Sequence, residues 1–158
     1  MKIIYPCLPL ILLLNLMAFV ICGGQPNSKE TSSVSESLRT SKIRRLEIIY
    51  YPENILTRVQ LTPEMLENQH QYKLIVNDVR SSVVGKEVMT AIEGENFTAS
   101  EQQADFRWGC SFYGDKNERI ASLYFDNSGK VAMVGTVSMA SSGHVVKCFK
   151  KICAGFRD

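Results

Sequence analysis

The N-terminus decides how much of this chain is left to fold. Lys2 supplies a positive charge, residues 8–21 form an apolar run broken only by Pro9 and Asn15, and Gly23-Gly24-Gln25-Pro26 follows. That order of basic start, apolar stretch and small, then polar residues is the pattern of a cleavable secretory signal. The run is shorter than the ~20 residues that cross a bilayer, so a retained anchor is disfavoured. Residues 1–22 are therefore expected to be removed, with cleavage after Cys22 or Gly23. A lipid-modified Cys22 is opposed by the bulky Ile21 before it. Removal leaves about 135 residues, enough for one domain with one core.

Export also sets the cysteine chemistry. Of five cysteines, Cys7 and Cys22 leave with the signal, and Cys110, Cys148 and Cys153 remain. In an oxidising compartment three thiols imply one disulfide and one leftover. Cys148 could pair with Cys153 in a small loop, or with Cys110 in a larger loop that stabilises more by the chain-entropy argument. Asn96-Phe97-Thr98 is a glycosylation sequon in a polar stretch. The formal net charge is +2 without a long basic block, so electrostatics alone do not demand nucleic acid.

Residues 23–42 are Ser/Thr-rich with few large apolar groups, which predicts a flexible tail ahead of one domain at 43–158. Leu46-Glu47-Ile48-Ile49-Tyr50-Tyr51, stopped by Pro52, predicts a strand. Thr62-Pro63 is the cap and first position of a short helix. Tyr72-Lys73-Leu74-Ile75-Val76 predicts a second strand. Val79, Val83, Val84, Met89 and Ile92 recur at helical spacing, with Asn77 or Asp78 as cap and Gly94 as stop, which predicts a helix of about four turns. Strands are predicted over 119–125 and 130–137, joined by the tight turn Asp126-Asn127-Ser128-Gly129. Residues 140–143 turn again into a final strand, His144-Val145-Val146-Lys147-Cys148-Phe149. The expected fold class is α+β, one helix packed on an antiparallel meander. Internal repeats and coiled-coil heptads are not seen.

The usual catalytic signatures are missing. Only His70 and His144 are present and no Cys-x-x-Cys occurs, so metal binding is not expected. A nucleophile elbow and a phosphate-cradling glycine loop are also absent. More specific is the ungapped stretch 125–148: Phe125-Asp126, then Gly129-Lys130-Val131-Ala132, Val134, Thr136, Ala140-Ser141 and Val146-Lys147-Cys148. It resembles the C-terminal half of the fungal guanyl-specific ribonucleases, where a strand, short turn and return strand lead to a last strand ending in a disulfide-forming cysteine.

RNA cleavage through a cyclic phosphate needs a base, an acid and cations for the phosphorane. The family's acid histidine falls on Val137, which transfers no proton. Its glutamate base precedes a tryptophan, whereas the one tryptophan here, Trp108, follows Arg107. Arg119 stands near the family's phosphate-binding arginine if a short insertion is allowed. Tyr72-Lys73-Leu74 is similar to the N-terminal Tyr-x-Cys of ribonuclease-like secreted effectors, with Leu74 in place of the cysteine. An exported, ribonuclease-like chain without the catalytic residues resembles the secreted effectors of plant-pathogenic fungi such as the powdery mildews. The resemblance implies a non-catalytic virulence protein delivered into host cells to bind a host protein or RNA. It implies no cofactor, no metal and no membrane association after signal removal. Candidate contact residues are Arg107, Trp108, Lys116, Arg119 and His144. Two other readings stay open: an active secreted endoribonuclease, including one using His70 and His144 as acid and base, and an unrelated small secreted inhibitor or immunity-type protein.

Overall fold

A computed structural model describes Leu38 and residues 42–154. The expected signal at 1–22 and all of the expected tail at 23–42 except Leu38 and Lys42 lie outside the described residues. Leu38 corrects one expectation, because it is buried in the main core and belongs to the folded domain.

Seven antiparallel strands form one open sheet, ordered β2-β1-β4-β5-β6-β7-β3. The strands are β1 (Arg45–Tyr50), β2 (Tyr72–Asn77), β3 (Thr98–Ala99), β4 (Phe106–Tyr113), β5 (Arg119–Asp126), β6 (Val131–Val134) and β7 (Val137–Ala140). Among the described residues three helices accompany them: α1 (Pro63–Gln69), α2 (Val83–Glu93) and α3 (His144–Ala154). The α+β class is as expected; beside the one helix expected on the meander stand the short helix expected at Thr62-Pro63 and an unforeseen third, α3.

β4, an interior strand between β1 and β5, was not foreseen. Trp108, Cys110 and Phe112 enter the main core with α2 and α3. Gly109, Ser111 and Tyr113 lie on the opposite face, as the period-two geometry of a strand requires. Trp108 stacks on Tyr50 at 4.0 Å and packs on Phe149 of α3 at 5.8 Å between ring centroids. A register shift between Phe106 and Trp108 accompanies the placing of Phe106 in a second cluster with Ile49, Leu66 and Tyr124 beneath α1.

The predicted final strand is a helix. Val145, Val146, Phe149 and Ile152 of α3 are all buried. Their spacing is that of one helical face. Burying side chains of this size contributes ~1.5–3 kcal/mol each, which outweighs the β-propensity of the paired valines. The helix also excludes the Cys148–Cys153 loop, because residues five apart on a helix have Cα atoms ~8–9 Å apart, beyond the ~7 Å limit for a disulfide. None of Cys110, Cys148 and Cys153 is in a disulfide.

Smaller corrections follow from local chemistry. α2 starts at the cap Ser82, whose side chain accepts from Gly85 N, and not at Asn77 or Asp78. Gly94 ends it as expected. The predicted strand 130–137 is broken by Gly135, at φ 62°, into β6 and β7. Thr62 caps α1 by accepting from Met65 N, with Pro63 in the first turn. Leu66, its one buried residue, pins α1 to the sheet.

Candidate functional site

α2 and α3 cover one face of the sheet, and α1 covers part of the other. The uncovered remainder of that second face carries a connected set of charged and phenolic groups. Its geometry comes from strand register. Arg45, Tyr113 and Arg119 are aligned across β1, β4 and β5, and Glu47, Ser111 and Ser122 form the neighbouring row. On β1 and β4 the two rows are two residues apart and so share a face; on β5 the register shift between Phe112 and Tyr113 brings Arg119 into line although it is three residues from Ser122.

Tyr113 sits between two guanidinium groups, with Arg45 at 4.3 Å and Arg119 at 5.9 Å from its ring centre. Both are within the reach of cation–π attraction. The Tyr113 hydroxyl donates to Glu47 Oε2 at 3.3 Å and accepts from Arg119 Nη2 at 3.5 Å. Glu47 also pairs with Lys73 of β2 at 2.8 Å and Arg45 at 3.3 Å. On the other side, Arg119 pairs with Glu67 of α1 at 2.7 Å, and the Tyr124 hydroxyl donates to the same carboxylate oxygen. A continuous path thus runs Lys73, Glu47, Tyr113, Arg119, Glu67, Tyr124.

Three of these groups are held in one protonation state at neutral pH. Burial raises the Glu47 pKa, but the Lys73 hydrogen bond and the charges of Lys73 and Arg45 outweigh it and leave a net lowering. Burial first, then the hydrogen bond to Glu67, pushes Tyr124 up to about 12. Arg119 is raised: burial opposes its charge, but its bonds to Tyr113 and Glu67 prevail. Proton-transfer catalysis works best with a group poised near the working pH, and these three are not. Three cations, Arg45, Lys73 and Arg119, face two carboxylates, which makes the patch mildly cationic and suits it to contact.

The sequence candidates are dispersed. Arg119 is in the network and Lys116 is exposed in the turn before it, donating its backbone N–H to Glu118. Arg107 is buried and belongs to the architecture. It donates to Asp105, to the carbonyls of Pro52 and Ile55, and to Thr57 Oγ1, and so anchors the loop at 51–61. It is also ~20 Å along β4 from Arg119, so no joint basic patch forms. Trp108 is 2% exposed, a core residue out of a partner's reach. His144 is exposed at the start of α3, with Nδ1 3.0 Å from Ser142 Oγ. His70 ends α1, and its Nδ1 donates to the Glu67 carbonyl. The two histidines belong to helices on opposite faces of the sheet, so they do not form an acid–base pair.

Sequence reasoning missed Arg45, Glu47, Glu67, Lys73, Tyr113 and Tyr124. The alternation Arg45-x-Glu47 in a strand marks a polar face; which strands would stand beside it was not in the local pattern. Asn96 is exposed in the loop between α2 and β3. Among the described residues, no group of three or more His, Cys, Asp or Glu could hold a metal ion, and no helix is long and apolar enough to cross a membrane. The chain matches no family model, no curated protein and no solved structure.

Proposed function

We propose that the chain is a secreted binding protein without catalytic activity, an effector-like molecule that acts by contacting a host protein or RNA. The observation that supports this reading is the network around Tyr113, where cations, carboxylates and phenols engage one another and three groups are fixed in a single protonation state. Such an arrangement makes a rigid, chemically quiet surface. The uncovered sheet face offers cations and an aromatic ring, which suit contact with an anionic or amphipathic partner. For a ribonuclease-like scaffold, the support is the β5–β6 hairpin at Phe125-Asp126 and Gly129-Lys130-Val131. The helix α3, where the resemblance implies a strand, is the departure from it.

A second reading, an active endoribonuclease, is favoured by one observation: Glu67, Arg119 and Tyr124 place a carboxylate, a guanidinium and a phenol together on a sheet face. RNA cleavage by the secreted protein decides between them. The expected result is no turnover above a buffer blank, unchanged in Arg119→Ala and Glu67→Gln. Turnover that is lost in either variant overturns the binding-protein reading.

A further inference from the structure

Far from the Tyr113 face, α2 and α3 leave a groove of about 590 Å³ between them. Half-buried Ala91 and Cys148 line it, and Val83 stands beside them, 73% exposed. Lys86 borders it on α2, and Lys147 and Lys151 border it on α3. One acid, Glu87, also lines the groove, and Lys151 pairs with it at 3.2 Å. α3 itself carries no acidic residue.

We propose that this groove receives one amphipathic helix of a partner protein, apolar on the side that enters and acidic along both flanks. The proposal rests on the binding-protein reading and names its partner class. Two adjacent helices present a channel into which a third can lay anchors at i, i+3, i+4 and i+7. Between the charged banks the lining is Val83, Ala91 and Cys148 with one hydroxyl, Thr90, which favours side-chain anchors over a phosphate backbone that would need several donors in the channel itself. Lysines on both banks complement carboxylates flanking such a stripe, and their charge selects the partner and its orientation more than it adds affinity. The volume lies within the ~300–1,000 Å³ of sites that bury compact apolar groups.

The test uses the full chain, expressed with its own leader and purified after secretion. The probe is a fluorescein-labelled synthetic helix with leucines at i, i+3, i+4 and i+7 and glutamates at the flanking positions. Fluorescence anisotropy should show saturable micromolar binding. The affinity should fall at least about tenfold in Lys147→Glu/Lys151→Glu, whose exposed positions leave the circular dichroism unchanged. Bound peptide should slow maleimide alkylation of Cys148 and leave that of Cys153 unaffected. Any of four results overturns the proposal: no binding, equal binding of a control helix with lysines for the glutamates, displacement of the peptide by single-stranded RNA, or binding only after deletion of residues 23–37, which stops short of the core residue Leu38 and would mean that the chain's own N-terminal segment fills the groove. The RNA-cleavage assay reads the Tyr113 face and is unmoved by the lysine reversals, so the two readings fail separately.

Discussion

Glu95 caps the first turn of α3 from the far side of the chain: its Oε2 accepts the backbone N–H of Val145 at 3.2 Å. Its other oxygen accepts from Ser142 N at 2.5 Å and from the Ser142 hydroxyl. A residue just past the Gly94 cap of α2 therefore holds the start of α3, which ties the end of one helix to the beginning of the other.

That relationship has a pH signature. Burial raises the Glu95 pKa, but the Ser142 and Val145 hydrogen bonds outweigh it, leaving it below its ordinary 4.5. A carboxylate with a depressed folded pKa contributes stability that is fully present above the unfolded value and lost as pH falls through the folded one. Glu47 is shifted in the same direction and adds to the same acid limb. Thermal unfolding followed from neutral pH downward should show the melting temperature falling below about pH 4.5. In Glu95→Gln that fall should be shallower, and Glu95→Ala should lose ~1–2 kcal/mol at neutral pH as a helix cap is removed.

Gly85 opposes the usual propensity rule. In an open helix, Gly→Ala gains about 1 kcal/mol. Here an added Cβ would lie 2.1 Å from the carbonyl oxygen of Val79 and 2.7 Å from its Cα. Those are backbone atoms that cannot step aside cheaply. Gly85→Ala should destabilise by about 2 kcal/mol or more, measured by urea denaturation.

Arg107 holds the loop at 51–61. Arg107→Ala would leave Asp105 with only the Leu61 N–H and would strip the guanidinium from the carbonyls of Pro52 and Ile55. Because the Asp105 carboxylate is 34% exposed, the loss should be smaller than the ~3–5 kcal/mol of a fully buried pair. Limited proteolysis should show the first new cuts at residues 52–60, where Leu56 is already 93% exposed, and RNA or peptide binding should be affected only through lost folding.

The thiols should react in a fixed order. Burial first, then the neighbouring Cys148, raises the Cys110 thiol well above the ordinary range, and it has no solvent exposure. Cys148 is half-buried and raised less, by burial and then Glu87. Mass spectrometry after iodoacetamide treatment of the native protein should find Cys148 and Cys153 alkylated and Cys110 protected until the chain unfolds.

How far the sequence could be read varied with the range of its signals. β1, β2, α1 and the β5–β6 hairpin were legible because Pro52, Thr62-Pro63 and Asp126-Asn127-Ser128-Gly129 are local punctuation. β4 was legible in principle, since Trp108, Cys110 and Phe112 alternate with Arg107, Gly109 and Ser111. A buried arginine and a glycine on the second face disguised it. α3 was misread because Val145-Val146 favours a strand locally, while the helical stripe that decides the matter extends to Ile152, past the stretch taken as the strand. The Tyr113 network was the least accessible, since Arg45, Tyr113 and Arg119 meet only through the pairing of three strands. No local pattern encodes that.

The two rims of the sheet are unequal. β3, only Thr98–Ala99, closes one side with too little backbone for another strand to pair with. β2 closes the other with six residues, and its Tyr72 and Ile75 are exposed. Short edges block growth by strand addition, and long ones invite it. Among the described residues, the sheet can therefore be lengthened at β2 alone, and self-association through the backbone would stop at a dimer, because the pairing consumes the one rim able to propagate it.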